Sequence, residues 1–170
     1  YIDEGNHDFY VKGRYASNTE DDSPASVSFE VDVMSGPGIR VQKWMSEAAV
    51  LDTITIDIYA EEVTGLVVAE FHVSYDAAVL SLVGSVMGNM VAEIEPPAFV
   101  LDGIPGLLQV DFTTLGHTGF TGSGSVLHLK FKATSSDSSS ITLENPVFKD
   151  INGNNFVQDI GIRNGIVIIE

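Results

Sequence analysis

The 170-residue sequence contains no cysteine. This absence excludes a disulfide framework, a thiolate nucleophile and any metal site built from cysteine. The sequence does not indicate whether the protein resides in an oxidising or a reducing compartment, because a chain without thiols is compatible with both. At this length the chain can bury one full hydrophobic core. We therefore expect one main domain with a small appendage.

Basic residues are scarce, since 8 Lys and Arg stand against 24 Asp and Glu, for a formal net charge of -16. Such a charge repels the phosphate backbone of nucleic acids and the surface of anionic lipids. No apolar run approaches the roughly 20 residues that a membrane helix needs. We expect neither a nucleic-acid partner nor direct insertion into a membrane.

The sequence also lacks the short motifs of common enzymes. It has no GxSxG elbow, no HExxH pair and no phosphate-binding glycine pattern. Neighbouring acids such as Glu61 and Glu62 are simplest to interpret as solvated surface carboxylates, because carboxylate catalysis needs a cleft that raises one pKa. We expect the chain not to be an enzyme.

Residues 69–84 combine a strand, a tight turn and a second strand. Phe71, Val73 and Tyr75 alternate with polar residues, which is the period-2 pattern of a half-buried strand. Asp76 opens the turn, because its carboxylate can accept hydrogen bonds from backbone N–H groups just downstream. A second buried run follows, made of Val79, Leu80, Leu82 and Val83.

Similar strand patterns recur along the rest of the chain, and no segment sustains a helical period of 3.6. The predicted strands cover residues 9–12, 26–34, 53–59, 108–113, 126–132, 141–143 and 166–169. Residues 87–105 are predicted to be a loop with one short edge strand, and residues 116–124 a glycine-rich loop. The expected fold is all-β, a two-sheet antiparallel β-sandwich with an N-terminal extension.

The Gly36-Pro37-Gly38 breaker is either a turn or a seam between two modules, and we favour the seam. Residues 1–36 would then be a β-hairpin extension or the tail of a neighbouring module, and residues 37–170 the main sandwich. No signal peptide or initiator Met is present, so we expect a piece of a larger protein. Its acidic, cysteine-free composition suits an extracellular or cell-surface location in a prokaryote.

Several segments follow one another in an order typical of a known family. They are TITIDI, FHVSYDAAVLSLVG, LQVDFTT, GHTGFTGSGSVLHLKFKA, ITLENPVFKDINGN and NGIVII. Together they resemble the cohesin modules of bacterial and archaeal cell-surface and cellulosomal proteins. The resemblance covers about residues 38–170. Its most specific part is residues 75–80, where Ala77 replaces a proline often found after the aspartate.

The resemblance implies a non-catalytic, nine-stranded jelly-roll sandwich with Ig-like topology. Its partner would be a dockerin, a small calcium-loaded helical module, bound on one sheet face. Carried over strand by strand, that face would present Glu70, His72, Ser74, Asp111, Thr113, Thr114, Leu115, His128 and Lys130. The chain departs from the cellulosomal pattern at Val68 and Thr114, which argues against a standard cellulosomal dockerin.

Residues 150–154, DINGN, place three oxygen ligands at alternate positions and so invite a calcium interpretation. An EF-type loop needs glycine at its sixth position and an acid at its twelfth, where this chain has Asn155 and Gly161. The Asn152-Gly153 pair predicts a hairpin turn instead. We expect no cofactor, and only an incidental surface calcium is left open.

The four histidines lack the close spacing of a helical metal pair. If the strands pair as in cohesins, His72 and His128 would come near each other on one face. Solvated surface histidines remain the simpler interpretation, so we expect no metal site.

Two other functions remain open at this point. The fold class also includes carbohydrate-binding sandwiches, whose partner is a polysaccharide and whose aromatic rings line one face. Trp44, the single tryptophan, is nevertheless predicted to be a core residue or a plug at one end of the sandwich. The third function is a structural or adhesive surface repeat whose N-terminal hairpin completes a neighbour by strand addition.

Overall fold

The computed structural model describes residues 5–14, 23, 25–31, 36–92, 98–114, 119–156 and 159–170. The chain divides into two compact units, Tyr1–Val33 and Met34–Glu170. It stays a prediction that residues 37–170 fold independently of residues 1–36. Among the described residues, no helix has the length and apolar character needed to cross a membrane.

The first unit is a two-stranded antiparallel sheet of β1 (Gly5–Val11) and β2 (Ala25–Val31). Its register places Phe9 opposite Val27 and His7 opposite Phe29. Both strands were expected from their alternation. The apolar side chains of Phe9, Val11 and Val27 are exposed rather than half-buried, and a two-stranded sheet by itself is only marginally stable in water.

In its described residues, the second unit is built almost entirely of strands, with one short helical turn, α1 (Asn89–Ala92). In chain order the strands are β3 (Gly38–Val41), β4 (Met45–Ala48), β5 (Thr53–Leu66), β6 (Val68–Ser74), β7 (Leu80–Met87), β8 (Ala98–Ile104), β9 (Leu107–Thr113), β10 (Phe120–Ala133), β11 (Ser138–Lys149), β12 (Gly161–Arg163) and β13 (Gly165–Ile169).

These strands form two sheets that enclose one core. The five-stranded sheet has the order β12-β3-β5-β10-β7, and the six-stranded sheet has the order β4-β13-β11-β6-β9-β8. All pairs are antiparallel except β12 with β3 and β13 with β4. The first and last strands of the sandwich therefore run side by side, and each is split between the two sheets. This splitting is why the unit has more strands than the nine expected for an all-β sandwich, a fold class that is confirmed.

The core is filled by alternate residues from the inner faces of both sheets. Phe71, Phe112 and Phe148 come from the six-stranded sheet, and Phe131 comes from the five-stranded sheet. The ring of Tyr75 packs edge-on against Phe131, with 4.8 Å between the ring centroids. Burial of this apolar surface is the main force that holds the sheets together.

The turn predicted after Tyr75 is present in the expected form. The Oδ1 atom of Asp76 accepts a hydrogen bond from the backbone N–H of Ala78, at 2.8 Å. The backbone carbonyl of Asp76 accepts further bonds from Val79 and Leu80. These contacts close the turn and start β7 at a buried leucine.

Four sequence-based predictions about this unit are wrong, and two of them concern the direction of a valine. Val83 is exposed, because Leu80 and Leu82 of the same strand already face the core and side chains alternate along it. Val126 is buried, because a register shift, a β-bulge, follows Ser125. A one-residue slip turns every later side chain to the other face, so a bulge defeats a strict period of two.

The other two errors concern a loop and a tryptophan. Within the predicted glycine-rich loop, β10 already begins at Phe120, and glycines accommodate its bulges. Residues 115–118 lie outside the described part of the chain. Trp44 is 69% exposed, so it is not a plug. It lies where the chain crosses between the sheets, after Val41 and before Met45.

Gly88 follows β7 at a point where the backbone approaches β10 closely. A Cβ atom there would lie 2.1 Å from the backbone oxygen of Ser125. We expect Gly88→Ala to lower the free energy of unfolding by about 1–3 kcal/mol, because the backbone must move to relieve the overlap. Urea denaturation measures this change. Gly84→Ala is the control, since its Cβ would meet nothing within 4 Å, and its effect should stay within about 0.5 kcal/mol.

Candidate functional site

The outward face of the six-stranded sheet carries most of the side chains predicted to bind a partner. Buried and half-buried positions alternate along β6, so Glu70, His72 and Ser74 point away from the core. The register with β9 places Asp111 opposite Glu70 and Thr113 near the end of the same surface. These five predicted residues therefore share one sheet face.

The neighbouring strand β11 adds polar contacts to this surface. Glu144 lies opposite His72 in the register, and its Oε1 atom accepts a hydrogen bond from Ser74 Oγ at 3.2 Å. Lys149 Nζ lies 3.1 Å from Glu70 Oε1. Because both side chains are partly exposed, this salt bridge contributes at most about 1 kcal/mol to stability. Its main effect is to orient the Glu70 carboxylate.

Carboxylates dominate the charge of this surface. Glu70 and Asp111 are directly opposed across two strands, and such like charges repel each other. Gln109 Nε2 donates a hydrogen bond to Asp111 Oδ2 at 2.9 Å. We call the outward residues of β6, β9 and β11 the acidic face. It is suited to receive Lys, Arg and hydroxyl groups from a partner.

Three of the predicted contact residues do not join the acidic face, and a fourth is not among the described residues. Thr114 is fully buried, and its backbone N–H donates to Val67 O at 2.9 Å. Leu115 lies outside the described residues. His128 and Lys130 belong to β10 in the five-stranded sheet. The expectation that all nine residues share one face is therefore wrong, because β10 pairs with β5 and β7 rather than with β6 or β9.

The expected proximity of His72 and His128 is wrong for the same reason. His128 Nδ1 instead lies 2.6 Å from Asp57 Oδ1, on the outer side of the five-stranded sheet. His72 Nδ1 lies 3.5 Å from Asn145 Nδ2. In the described part of the chain, no group of three or more His, Asp or Glu side chains is arranged to hold a metal ion.

The DINGN segment forms a turn around its first carboxylate. Asp150 Oδ1 accepts hydrogen bonds of 2.9 Å from the backbone N–H groups of both Asn152 and Asn154. The bond from Asn154 is the main reason that the pKa of Asp150 is lowered, because such bonds favour the charged form. A turn is present at Asn152-Gly153, as predicted: the N–H of Gly153 donates to Asp150 O at 3.0 Å, and Gly153 has a positive φ of 78°, which glycine adopts without strain.

The model of the cohesin domain family matches residues 41–168. The chain belongs to the cohesin family. The match spans nearly the whole second unit and includes every strand of the acidic face. It confirms the resemblance seen in the ordered strand segments. A search of curated protein sequences finds no significant match.

Solved cohesin structures share the fold of this domain. A non-cellulosomal cohesin from Archaeoglobus fulgidus is 21% identical, with a TM-score of 0.69 over 80% of this chain and 92% of that chain. The sixth cohesin of Acetivibrio cellulolyticus scaffoldin B, solved in complex with a mutant Cel5 dockerin, is 20% identical, with a TM-score of 0.69 over 80% and 100%. A type I cohesin–dockerin complex from Clostridium thermocellum gives 17% identity and a TM-score of 0.69 over 80% and 100%.

Sequence reasoning missed several residues of the acidic face in this cohesin domain. Glu144 alternates with buried Ile141 and Leu143, so its outward direction was readable from the sequence. Its position beside His72 was not, because only the pairing of β11 with β6 brings the two together. Lys149 follows a register shift in β11, so no simple alternation places it on this face.

Proposed function

We propose that this cohesin domain is a non-catalytic interaction module that binds a dockerin-type protein on its acidic face. The observation that carries the proposal is the cross-strand arrangement of Glu70, His72, Asp111 and Glu144 on one outward sheet surface. Cohesins of the same fold are known in complexes with dockerins. The domain would serve as one part of a larger extracellular or cell-surface protein.

A sheet face is a suitable platform for a helical partner. The polar side chains of the acidic face are held by bonds such as Ser74 to Glu144 and Gln109 to Asp111. Such bonds reduce the side-chain freedom that binding would otherwise remove. Complementary basic residues of the partner would gain charge-assisted hydrogen bonds and would be guided to the surface during encounter.

Charge reversal on the acidic face tests this proposal. The Asp111→Lys/Glu144→Lys double variant should bind dockerin modules from the same organism at least about 100-fold more weakly, because like charges at an interface cost several kcal/mol. Isothermal titration calorimetry in calcium-containing buffer measures the affinity. Circular dichroism checks that the variant keeps its β-structure.

The matched control reverses two charges on the five-stranded sheet. Lys130 and Lys132 are both exposed on β10, and the Lys130→Glu/Lys132→Glu variant should bind with unchanged affinity. If this control variant lost dockerin binding and the Asp111→Lys/Glu144→Lys variant kept it, the binding site would lie on the five-stranded sheet instead. If the unaltered domain binds none of the dockerin modules from the same organism, the proposed partner is wrong. The assignment of the fold is not affected by that result.

A further inference from the structure

Two asparagines of the chain are followed directly by glycine, Asn152-Gly153 in the turn after β11 and Asn164-Gly165 between β12 and β13. An asparagine in this position is prone to lose its side-chain amide, because the glycine has no side chain to obstruct the approach of its backbone nitrogen. The two pairs are identical in local sequence. Their surroundings in the fold therefore decide which of them reacts.

The reaction at such a pair needs only the protein and water. The backbone nitrogen of the glycine forms a bond to the side-chain carbonyl carbon of the asparagine. The bond from that carbon to the amide nitrogen breaks, and the amide group leaves as ammonia with the proton of the glycine N–H. A water molecule then opens the cyclic imide at either of its carbonyls, which gives aspartate or isoaspartate. Each product adds one negative charge to the chain.

Asn152-Gly153 lies in an exposed turn whose hydrogen bonds are local. The backbone N–H of Gly153 donates to the carbonyl oxygen of Asp150 at 3.0 Å, within the turn itself. The amide nitrogen of Asn152 lies 3.5 Å from Asp150 Oδ2, at the limit of a hydrogen bond. A Cβ atom on Gly153 would meet nothing within 4 Å, so no described segment packs against this position. A local opening of the turn is enough to bring the two reacting groups together.

Asn164-Gly165, in contrast, is held by the sandwich at both residues. Asn164 Oδ1 accepts a hydrogen bond from the backbone N–H of Leu143 at 2.8 Å, which fixes the side chain against β11. Gly165 is buried and lies opposite Ile141 in the sheet, and a Cβ atom there would lie 2.7 Å from Cγ1 of Val41. The backbone nitrogen of Gly165 can reach the side chain of Asn164 only when β13 leaves the sheet, which costs much of the free energy of unfolding.

We propose that Asn152 is a site of spontaneous modification, at which the folded protein slowly converts an asparagine to aspartate and isoaspartate. The fold protects Asn164 from the same reaction. This modification goes beyond the proposed dockerin binding and does not depend on it.

The isoaspartate product changes the end of a strand of the acidic face. It carries the main chain through the former side-chain carbon, which lengthens the backbone by one atom. The backbone N–H groups of Asn152 and Asn154 both bond to Asp150 Oδ1, and the added atom disturbs their spacing. The turn directly follows Lys149, whose Nζ lies 3.1 Å from Glu70 Oε1. The modified turn therefore adjoins the salt bridge that orients the Glu70 carboxylate.

Peptide mapping of the aged protein tests the proposal. The whole folded chain is kept at mildly alkaline pH and physiological temperature, and samples taken over several weeks are digested and analysed by tandem mass spectrometry. The mass difference between an amide and a carboxyl group identifies each converted peptide, and an isoaspartyl methyltransferase labels the isoaspartate. Conversion at Asn152 should be at least about tenfold faster than at Asn164, because the rate follows the population of the open form.

The same chain unfolded in concentrated guanidinium chloride is the matched control. Without the fold, the two rates of conversion should agree within about threefold, because both pairs have the same local sequence. In the folded Asn152→Ser variant, which lacks the reactive amide, only the slow conversion at Asn164 should remain. Equal rates at Asn152 and Asn164 in the folded chain would overturn the proposal. So would an intact Asn152 after a period in which the unfolded chain has converted.

Discussion

Glu61→Ala is expected to lower the free energy of unfolding by about 3–5 kcal/mol, because it leaves the charge of Arg40 buried without a partner. The Arg40 Nε atom donates to Glu61 Oε1, and the two side chains are only 9% and 11% exposed. Arg40 Nη1 also donates to the carbonyl of Gln42 at 3.0 Å, and its guanidinium lies 5.1 Å from the ring centre of Tyr59. Urea denaturation of the purified variant measures the loss.

A double replacement separates two contributions to the free energy of unfolding: the net contribution of the ion pair, and the cost of leaving one of its charges buried alone. Arg40→Met/Glu61→Leu removes both charges at similar volume, and its stability should lie close to that of the unaltered domain. Glu62→Ala, next in sequence but exposed, should cost less than about 1 kcal/mol. If Glu61→Ala and Glu62→Ala lose the same free energy of unfolding, leaving Arg40 buried without its partner carries no extra cost, which contradicts the prediction.

Phe131→Ala should destabilise the domain by about 3–5 kcal/mol, because it leaves a cavity in the middle of the core. Phe131 is fully buried on β10, and its ring contacts Tyr75, which closes the strand before the Asp76 turn. The loss includes about 0.5–1.5 kcal/mol from the aromatic pair itself. Thermal or urea unfolding followed by far-ultraviolet circular dichroism measures the change.

The control for this core substitution is Ile151→Ala, an apolar truncation at an exposed turn. It should change the free energy of unfolding by no more than about 0.5 kcal/mol. A Tyr75→Leu/Phe131→Ala double variant completes the cycle and isolates the ring contact. Strict additivity of the two single effects would show that the edge-on contact contributes nothing.

Local patterns account for most of the fold that was predicted. Phe71 and Val73 alternate with polar neighbours, and both are buried in β6. Ile56 and Ile58 behave in the same way in β5, which extends beyond the predicted segment to Leu66. These predictions hold because successive side chains of a strand point to opposite faces, whatever the strand pairs with. Val126 was misplaced because a bulge interrupts that rule, whereas Val83 follows it and is exposed because its neighbour Leu82 faces the core.

The candidate site was only partly predictable. Each of Glu70, Asp111 and His128 was correctly expected to point outward from its strand. Only Glu70 and Asp111 lie on the same sheet, because the sheet to which β10 belongs depends on distant pairing, such as that of His128 with Asp57, 71 positions away. The roles of these residues in binding remain predictions until the charge-reversal variants are measured.

The amino-acid sequence by itself determined the all-β class, the order of most strands, the Asp76 turn and the family resemblance, because each depends on neighbouring residues. The tertiary structure alone decided which strands lie side by side, and so which charges share the acidic face. It also exposed Trp44, because the chain changes sheets at that residue. Long-range pairing of backbone hydrogen bonds is the physical reason, since it brings together residues whose separation in the sequence carries no local signal.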